Sequence, residues 1–457
     1  MRYRCIDGSR ALRCRGRVSA VAATGPRAPC RRACVEQQRR YGGAMQTKRT
    51  SVAGALLLGL VGCTSGSATM DADAAGQHQT DLAQLTDLLP GTDGGDELVP
   101  LPGDTVLRVH YPSGAGFARM TVRGSTGPLS WAAGKALTKV ADGVYQLRIR
   151  GLTTALQWKP LLDDAMWSRG SNFRVSPGQT VEVYPHFVQG SGRYLRLSSF
   201  RSTILGNTRG VWLYLPPSFA ENPLATYPVL VMHDGQNLFD PRYAFGGTTW
   251  QVAETLDAGI DALDETRHLP EVVVIGPENT SDRIWEYTPT VGTEPGLTGG
   301  GGDQYLRFLV EELLPQMAEL TSPVQLKGRL RTGADNTALM GSSLGGLISA
   351  YAGVKRAALF GRIGAMSPST WWDELFLLGS VRGSGAVRPL RVYLDSGDSG
   401  PSMDDKDNTQ ALAQVYRDLG YRDGVDLLHV IQRGASHSEY YWAQRLPIAL
   451  QFLLAGL

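Results

Sequence analysis

The sequence predicts an α/β fold, a parallel sheet with helices on both faces, preceded by a small all-β sandwich domain. From residue 193 to residue 457, short apolar strands alternate with amphipathic or apolar helices, and a G-x-S-x-G pentapeptide lies between one such strand and helix. Residues 104–188 hold shorter alternating segments separated by glycine, proline and Asp-Gly turns. Alternating strands and helices predict a parallel sheet covered on both faces, and closely spaced short strands predict a sandwich.

The strands predicted for the larger domain share a run of apolar residues and cover 210–215, 227–232, 271–276, 337–340, 362–366, 390–394 and 427–431. The predicted helices cover 251–262, 303–320, 347–359, 408–419 and 440–454. Ligand sites of such sheets form in the loops at the carboxyl ends of the strands. Functional residues are therefore expected directly after each predicted strand.

The pentapeptide Gly341-Ser342-Ser343-Leu344-Gly345 follows the strand 337–340 and precedes the helix 347–359. A serine held between a strand and a helix in this way sits on a sharp turn, with its hydroxyl exposed at the carboxyl end of the sheet. Glycines on both sides relieve the crowding of such a turn. The surroundings favour a nucleophile over a flexible Gly/Ser loop, and we expect Ser343 to be that nucleophile.

A serine hydroxyl needs a base within hydrogen-bond reach. Of the seven histidines, His437 lies in a loop between the last apolar strand and the terminal helix, whereas His429 lies inside that strand, where packing is expected. In the α/β-hydrolase arrangement the triad runs serine, then acid, then histidine along the chain. His437 fits the last place, and we expect it to be the base.

The acid should follow the strand 390–394, and it would fix the imidazole tautomer and stabilise the imidazolium. Asp398 is the first choice, because Gly397 permits a turn that brings it clear of the strand end. The alternatives are Asp395 and, further along the polar loop, Asp404, Asp405 and Asp407. The run at 404–408 lacks the spaced pattern of a calcium-binding loop.

The oxyanion hole should use the backbone N–H of the residue after the serine, Leu344, and a second N–H from the loop after the strand 227–232. That loop begins His233-Asp234-Gly235-Gln236, so Gly235 and Gln236 are the expected backbone donors. Two further segments, 281–289 and 368–372, should overhang the serine. They suggest substrate-binding residues, which could equally be a buried ion pair and packing aromatics: Arg283, Glu286, Trp371 and Trp372.

Several segments in order resemble the esterase branch of the α/β-hydrolases, which includes esterase D, enterochelin esterases, and feruloyl and acetyl esterases. They are 232–240 (MHDGQNLFD), 278–289 (ENTSDRIWEYTP), 299–315, 341–351 (GSSLGGLISAY), 365–373 (AMSPSTWWD) and 434–453. The resemblance covers about 193–457 and implies Ser343 as nucleophile and His437 as base. Members often carry the acid a little further into its loop than Asp398.

Residues 104–188 are similar, less specifically, to starch-binding-type carbohydrate modules and to the amino-terminal domains of enterochelin esterases. The predicted strands here cover 106–111, 118–123, 144–149, 156–161 and 180–184. Three tryptophans, Trp131, Trp158 and Trp167, could form a surface on which sugars stack. Large aromatics mostly serve burial, so core or interdomain packing is the alternative.

The first part of the chain indicates export. Residues 1–44 hold eleven arginines against Asp7 and Glu36, a balance of +9 within a total of +2. A charged start at Met45, an apolar stretch to residue 62 and the tetrapeptide LVGC ending at Cys63 look like a bacterial lipoprotein signal. We expect 1–44 to be a mis-assigned extension, 45–62 a signal peptide, Cys63 the lipidated residue and 63–103 a flexible linker.

The composition is that of a globular protein, with 42% hydrophobic and 19% charged residues. All the cysteines lie at or before Cys63, with poor spacing for a metal site, and no folded basic module with aromatic readers for nucleic acid is visible. The sequence therefore predicts a serine carboxylic-ester hydrolase with no cofactor and no nucleic-acid partner, tied to the cell envelope. Its expected substrates are acyl esters of carbohydrates or other small alcohols. Alternatives are a siderophore esterase, an acyltransferase and a silent carbohydrate-binding protein.

Overall fold

The structure, a computed structural model, describes residues 103–385 and 391–457. Its strands are, in chain order, β1 (Thr105–His110), β2 (Met120–Gly124), β3 (Lys135–Ala136), β4 (Thr138–Ala141), β5 (Val144–Ile149), β6 (Leu156–Leu162), β7 (Met166–Trp167), β8 (Phe173–Val175), β9 (Thr180–Val183), β10 (Arg193–Arg201), β11 (Thr208–Leu215), β12 (Tyr227–Met232), β13 (Val273–Pro277), β14 (Leu330–Arg331), β15 (Thr337–Ser342), β16 (Arg362–Met366), β17 (Arg391–Gly397) and β18 (Leu427–Gln432).

Its α-helices are α1 (Ser218–Glu221), α2 (Val252–Ile260), α3 (Arg283–Tyr287), α4 (Gly302–Arg307), α5 (Leu314–Ala318), α6 (Leu344–Lys355), α7 (Trp372–Gly383), α8 (Lys406–Asp418) and α9 (Glu439–Leu454). A π-helical segment, Phe308–Leu313, joins α4 to α5. Short 3-10 turns lie at Gly235–Asn237, Phe245–Gly247 and Met403–Asp405.

The larger sheet has the strand order β10-β11-β13-β12-β15-β16-β17-β18, with β14 beside β12. The strands from β13 to β18 along this order pair in parallel, whereas β10 and β11 are antiparallel additions at one edge. Parallel strands point their carboxyl ends to the same edge of the sheet. The residues that follow β12, β15, β16, β17 and β18 therefore gather at that edge.

Apolar residues on alternate positions of these strands pack on opposite faces of the sheet. In β12, Val229 and Val231 join the core shared with α4, α6 and α8, whereas Leu230 joins the core shared with α2 and α9. Burial on both faces explains why the strands read as continuous apolar runs. The predicted α/β fold is confirmed.

Residues 105–183 form two small sheets within the described part of the chain, with orders β4-β5-β1-β9 and β3-β2-β6-β7, and β8 beside β6. Their facing side chains share one apolar core, which includes Leu107 from the first sheet and Trp158 from the second. The predicted sandwich is therefore present. It touches the larger domain through polar contacts, such as the bidentate pair of Arg169 with Asp261 at 3.0 and 2.7 Å.

Some elements do not follow from sequence pattern. The edge strand β10 is mostly exposed, so it carries no apolar run. The helix α7 begins with left-handed backbone at Asp373, Glu374 and Leu375, which no propensity predicts. Within the described residues, no helix is long and apolar enough to span a membrane. The expectations for 1–44, the signal peptide, Cys63 and nearly all of the 63–103 linker lie outside those residues.

Candidate active site

Ser343 occupies the sharp turn between β15 and α6. Its backbone lies in a region that non-glycine residues rarely adopt, with φ 58° and ψ −125°, and such strain clusters at functional sites. A Cβ on Gly341 would lie 2.8 Å from the carbonyl oxygen of Gly345 and from the His233 ring. Only glycine fits there, which accounts for the first glycine of the pentapeptide.

The turn is fixed by the neighbouring strand. The Ser343 N–H donates to the Met366 carbonyl at 3.0 Å, and the Ser369 N–H donates to the Ser343 carbonyl at 3.0 Å. The two hydroxyl oxygens, Ser343 Oγ and Ser369 Oγ, lie 3.3 Å apart. Ser343 is half-buried, so its hydroxyl remains reachable from outside.

The loop after β12 touches the start of α6. A Cβ on Gly345 would lie 3.3 Å from His233 Cβ, and a Cβ on Gly235 would lie 2.0 Å from the Gly276 carbonyl oxygen. His233 and Asp234 therefore lie against the first turn of α6, and Gly235 packs closely against β13. The first N–H groups of a helix, here beginning with Leu344, have no partner within the helix. This arrangement suits an oxyanion hole made of backbone donors.

His437 pairs with Asp404. The imidazole Nδ1 lies 2.6 Å from Asp404 Oδ1, and the histidine is exposed whereas the aspartate is completely buried. The Trp442 ring is nearly perpendicular to the imidazole, with ring centroids 5.0 Å apart. With Nδ1 bonded to the carboxylate, Nε2 is the imidazole nitrogen left for a proton from the serine.

Contacts between neighbouring strand ends link the serine to the histidine. Ser343 follows β15 and bonds to Met366 at the end of β16. Ser367, the next residue, donates its hydroxyl to Asp404 Oδ2 at 2.7 Å, and Asp404 binds His437 after β18. These contacts place Ser343 and His437 at the same edge of the sheet.

Asp398, the first choice from sequence, does not contact His437. Its Oδ1 accepts the N–H of Gly434 at 2.6 Å, and its own N–H donates to the Ala435 carbonyl at 3.1 Å. The carboxylate thus fastens the loop that carries the histidine. The assignment of Asp398 as the partner of His437 is corrected to Asp404.

Asp395 is also separated from the histidine. It is fully buried and pairs with Arg445, with 2.9 Å between Oδ2 and Nε, and it accepts the Tyr393 hydroxyl at 2.9 Å. Burial raises the pKa of Asp395 in spite of these donors. This aspartate belongs to the packing behind the site.

The surroundings of Asp404 keep its carboxyl ionised. Burial by itself raises the pKa, but hydrogen bonds from His437, the Gly397 N–H and Ser367 outweigh burial and lower the pKa of Asp404 overall. The residues Met403–Asp405 all have left-handed backbone, with φ between 50° and 54°. This turn folds the chain back over β17 and brings Asp404 under the imidazole.

Arg283 forms a bidentate pair with Asp234 in the loop after β12, with both N–O distances 2.8 Å. The amide of Asn279 donates to the same carboxylate at 2.6 Å. Burial raises the pKa of Asp234, but Arg283 and Asn279 reverse the effect and lower it. The Arg283 side chain keeps 26% of its surface exposed, so it lies at the site with its charge already balanced.

Two of the suggested substrate-binding residues are packing residues instead. Glu286 is fully buried in an ion pair with Arg209, with 3.0 Å between Oε2 and Nη1. Trp372 is also fully buried, and its indole N–H donates to Thr290 Oγ1 at 3.1 Å. Both assignments are corrected. Trp371 is half-buried, and its backbone N–H donates to Asp405 at 3.2 Å.

The three tryptophans of the sandwich also differ in exposure, since one is buried and two lie at the surface. Trp158 lies in the core with no exposed surface, which excludes it from any sugar-stacking surface. Trp131 and Trp167 are 38% and 39% exposed and lie side by side, with ring centroids 6.2 Å apart. Arg123 lies over the Trp167 ring and donates to the Trp131 carbonyl at 3.1 Å, which fixes the pair.

His233 is fully buried, and its Nδ1 lies 3.0 Å from the Tyr305 hydroxyl. Burial lowers its pKa to about 3, so it stays neutral and packs behind the serine turn. Within residues 103–385 and 391–457, no cluster of three or more His, Cys, Asp or Glu side chains could hold a metal ion.

Residues 202–453 match the family Esterase, described as "Putative esterase". Uncharacterized protein YbbA of Bacillus subtilis (strain 168) is 29% identical over 262 residues, covering 54% of this chain and 93% of that protein. Iron(III) enterobactin esterase of Dickeya dadantii (strain 3937) is 28% identical over 182 residues, 40% of this chain and 34% of that protein. A solved IroE-like serine hydrolase from Shewanella oneidensis is 22% identical, with a TM-score of 0.43, over 57% of this chain and 80% of that chain.

Proposed function

The chain belongs to the Esterase family and is an esterase, and from that premise we propose that it is a serine carboxylic-ester hydrolase. Ser343 is its nucleophile, His437 its general base and Asp404 the acid that orients the histidine. The observation that carries the proposal is the series of contacts from the strained Ser343 turn through Ser367 to the Asp404–His437 pair.

The proposed reaction has two halves. Ser343 Oγ attacks the ester carbonyl carbon while His437 Nε2 takes its proton, and the imidazolium then returns that proton to the departing alcohol. The N–H groups of Leu344 and of Gly235 or Gln236 stabilise the negative oxygen of each tetrahedral intermediate. Water, deprotonated by His437, attacks the acyl-enzyme, releases the carboxylic acid and restores the serine.

For the substrate we propose an uncharged acyl ester of a carbohydrate or another small alcohol, ahead of a ferric siderophore. A triscatecholate complex is anionic and demands unpaired cations. Arg283 is neutralised by Asp234. A chain that begins at Cys63 would have a formal charge of −9 instead of +2, which also disfavours polyanions.

A comparison of kcat/KM on acetylated or feruloylated sugars with kcat/KM on a ferric catecholate ester tests this order. The enterobactin esterase relative makes the siderophore the main alternative. A more than tenfold preference for the siderophore, about 1.4 kcal/mol of transition-state binding, would reverse the order. Adding an alcohol acceptor to the same assay distinguishes hydrolysis from acyl transfer, because transfer yields a new ester instead of free acid.

The exposed tryptophans support a role for the sandwich in holding a saccharide. Indole faces stack on the apolar faces of sugar rings, and Arg123 holds Trp131 and Trp167 in fixed positions. Replacing both tryptophans with alanine should abolish retention on an immobilised polysaccharide without changing kcat on a soluble ester. The neighbouring exposed Met166→Ala is the matched control. Retention that survives the double substitution would refute this role.

We further propose that the mature chain is exported and held at the envelope by lipid on Cys63. The support is the sequence 60–63 (LVGC) after a short apolar stretch. Mass spectrometry should find an acylated peptide beginning at Cys63, and Cys63→Ser should release the protein from membranes. An unacylated parent protein would refute the attachment.

A further inference from the structure

A buried polar cluster behind Asp404 has no part in the proposed reaction steps. It consists of Ser367 after β16, together with Trp442 and Arg445 on α9. All three are at most 5% exposed, and the Ser367 backbone has a φ of 37°. Buried polar groups are costly unless they are fully bonded, and the bonding here is specific.

The hydrogen bonds of Ser367 determine where its proton points. The Trp442 indole N–H donates to Ser367 Oγ at 3.0 Å, and an Arg445 guanidinium N–H donates to the same oxygen at 2.8 Å. A hydroxyl has two acceptor lone pairs and one proton. With both lone pairs occupied, the proton is available for Asp404 Oδ2 at 2.7 Å.

Asp404 is thereby held from one side. Its Oδ2 accepts one hydrogen bond from the Ser367 hydroxyl and another from the Gly397 N–H at 2.5 Å. The same oxygen lies 3.8 Å from Arg445 Nη2. Its Oδ1 is left to His437 Nδ1. Arg445 is fixed in turn by Asp395 and by the Gln432 amide oxygen at 3.0 Å.

We propose that Ser367 is a positioning residue of the esterase. Its proton, directed by Trp442 and Arg445, holds Asp404 in the orientation that presents Oδ1 to His437. This inference rests on the proposed triad. Trp442 contributes twice, because its N–H orients Ser367 and its ring packs against the imidazole.

The variant Ser367→Ala removes one donor from the carboxylate and leaves the substrate-facing surface unchanged. Removing a hydrogen bond to a charged group should lower kcat by about tenfold to a hundredfold, and KM should not change. Without this donor, the carboxylate attracts the imidazole proton more strongly. The acidic limb of the kcat/KM profile should therefore move to higher pH.

Other ionisable groups face this pair: Asp395 on β17, Arg445 on α9, Asp405 beside the acid and Glu439 at the start of α9. None of them changes in Ser367→Ala. A shift of the acidic limb therefore reports the altered Asp404–His437 pair.

The test compares Ser367→Ala with Trp442→Phe and Ser396→Ala, using kcat and KM on a p-nitrophenyl ester across pH. Trp442→Phe keeps a ring against His437 but removes the N–H, so it should change kcat and the acidic limb in the same direction by less. Ser396 is buried on β17 with no hydrogen-bond partner for its hydroxyl among the described residues, so Ser396→Ala should match the parent.

A folded Ser367→Ala with the parent's kcat and acidic limb would overturn the positioning role, as would an equal loss in Ser396→Ala. If Ser367→Ala does not fold, Trp442→Phe decides by the same readouts. Ser343→Ala in the same assay separates the two proposals. If Ser343→Ala is inactive and Ser367→Ala is unaffected, only the positioning role is refuted. If Ser343→Ala is active, the triad itself is refuted.

Discussion

His437 Nδ1 lies 2.6 Å from Asp404 Oδ1, while Asp398 accepts a backbone N–H at Gly434, three residues before the histidine. One aspartate orients the imidazole and the other holds its loop. The two carboxylates lie close together in the sequence, so the distinction depends on geometry, and it can be tested by the same change at each position.

Asp404→Asn should lower kcat on the order of 10⁴-fold, because the amide favours the wrong imidazole tautomer. Asp398→Asn should change kcat by less than about tenfold. The amide oxygen can still accept the Gly434 N–H, so a charged hydrogen bond is replaced by an ordinary neutral one. Steady-state kinetics of the two variants, with circular dichroism to verify folding, make the comparison. Equal losses in both variants would contradict the assignment of Asp404.

Glu286→Gln should reduce stability and leave KM unchanged. The carboxylate is buried against Arg209, and removing one partner of a buried ion pair costs roughly 3–5 kcal/mol. Urea unfolding measures the change. The exposed pair Arg307–Glu311 offers a matched control, and Glu311→Gln should have little effect. If Glu286→Gln raised KM and left the free energy of unfolding unchanged, Glu286 would be a substrate-binding residue and not a structural one.

Glu271→Gln should stabilise the protein at pH 8 and not at pH 4. Burial raises the pKa of Glu271 to about 7 from an ordinary value of 4.5. Between pH 4.5 and about pH 7, Glu271 is protonated in the folded protein and ionised in the unfolded chain. The free energy of unfolding therefore falls as the pH rises through this range. The glutamine carbonyl can still accept the Ser218 N–H, which now donates to Oε1 at 2.8 Å.

The expected gain at pH 8 is on the order of 2 kcal/mol, measured by urea unfolding at both pH values. An equal effect at pH 4 and pH 8 would show that lost packing, and not titration, governs the variant. A loss of stability at pH 8 would contradict the raised pKa directly.

The fold could be predicted because its signals are local. The apolar run at 227–232 coincides with β12, because burial on both faces favours apolar residues at successive positions of a parallel strand. The turn at Ser343 could likewise be proposed, because the strand, the glycines and the helix that define it are contiguous in sequence.

The acid could not be identified in this way. Asp404 reaches His437 only because Met403–Asp405 adopt a left-handed turn, and no residue there is the glycine that usually marks one. Adjacent tryptophans pose the same difficulty. Trp372 is buried and Trp371 is half-buried. Which of the two side chains is buried depends on the backbone at the start of α7. The role of Ser367 depends on α9, which is distant in sequence.

Labelling with a fluorophosphonate probe tests the central claim most directly, because the probe phosphonylates a serine that a base has activated. We predict one labelled peptide, modified at Ser343, with labelling lost in both Ser343→Ala and His437→Ala. Ser343→Ala should also lose ester turnover by on the order of a millionfold. Labelling at another serine, or ester turnover near the parent's in a folded Ser343→Ala protein, would contradict the account.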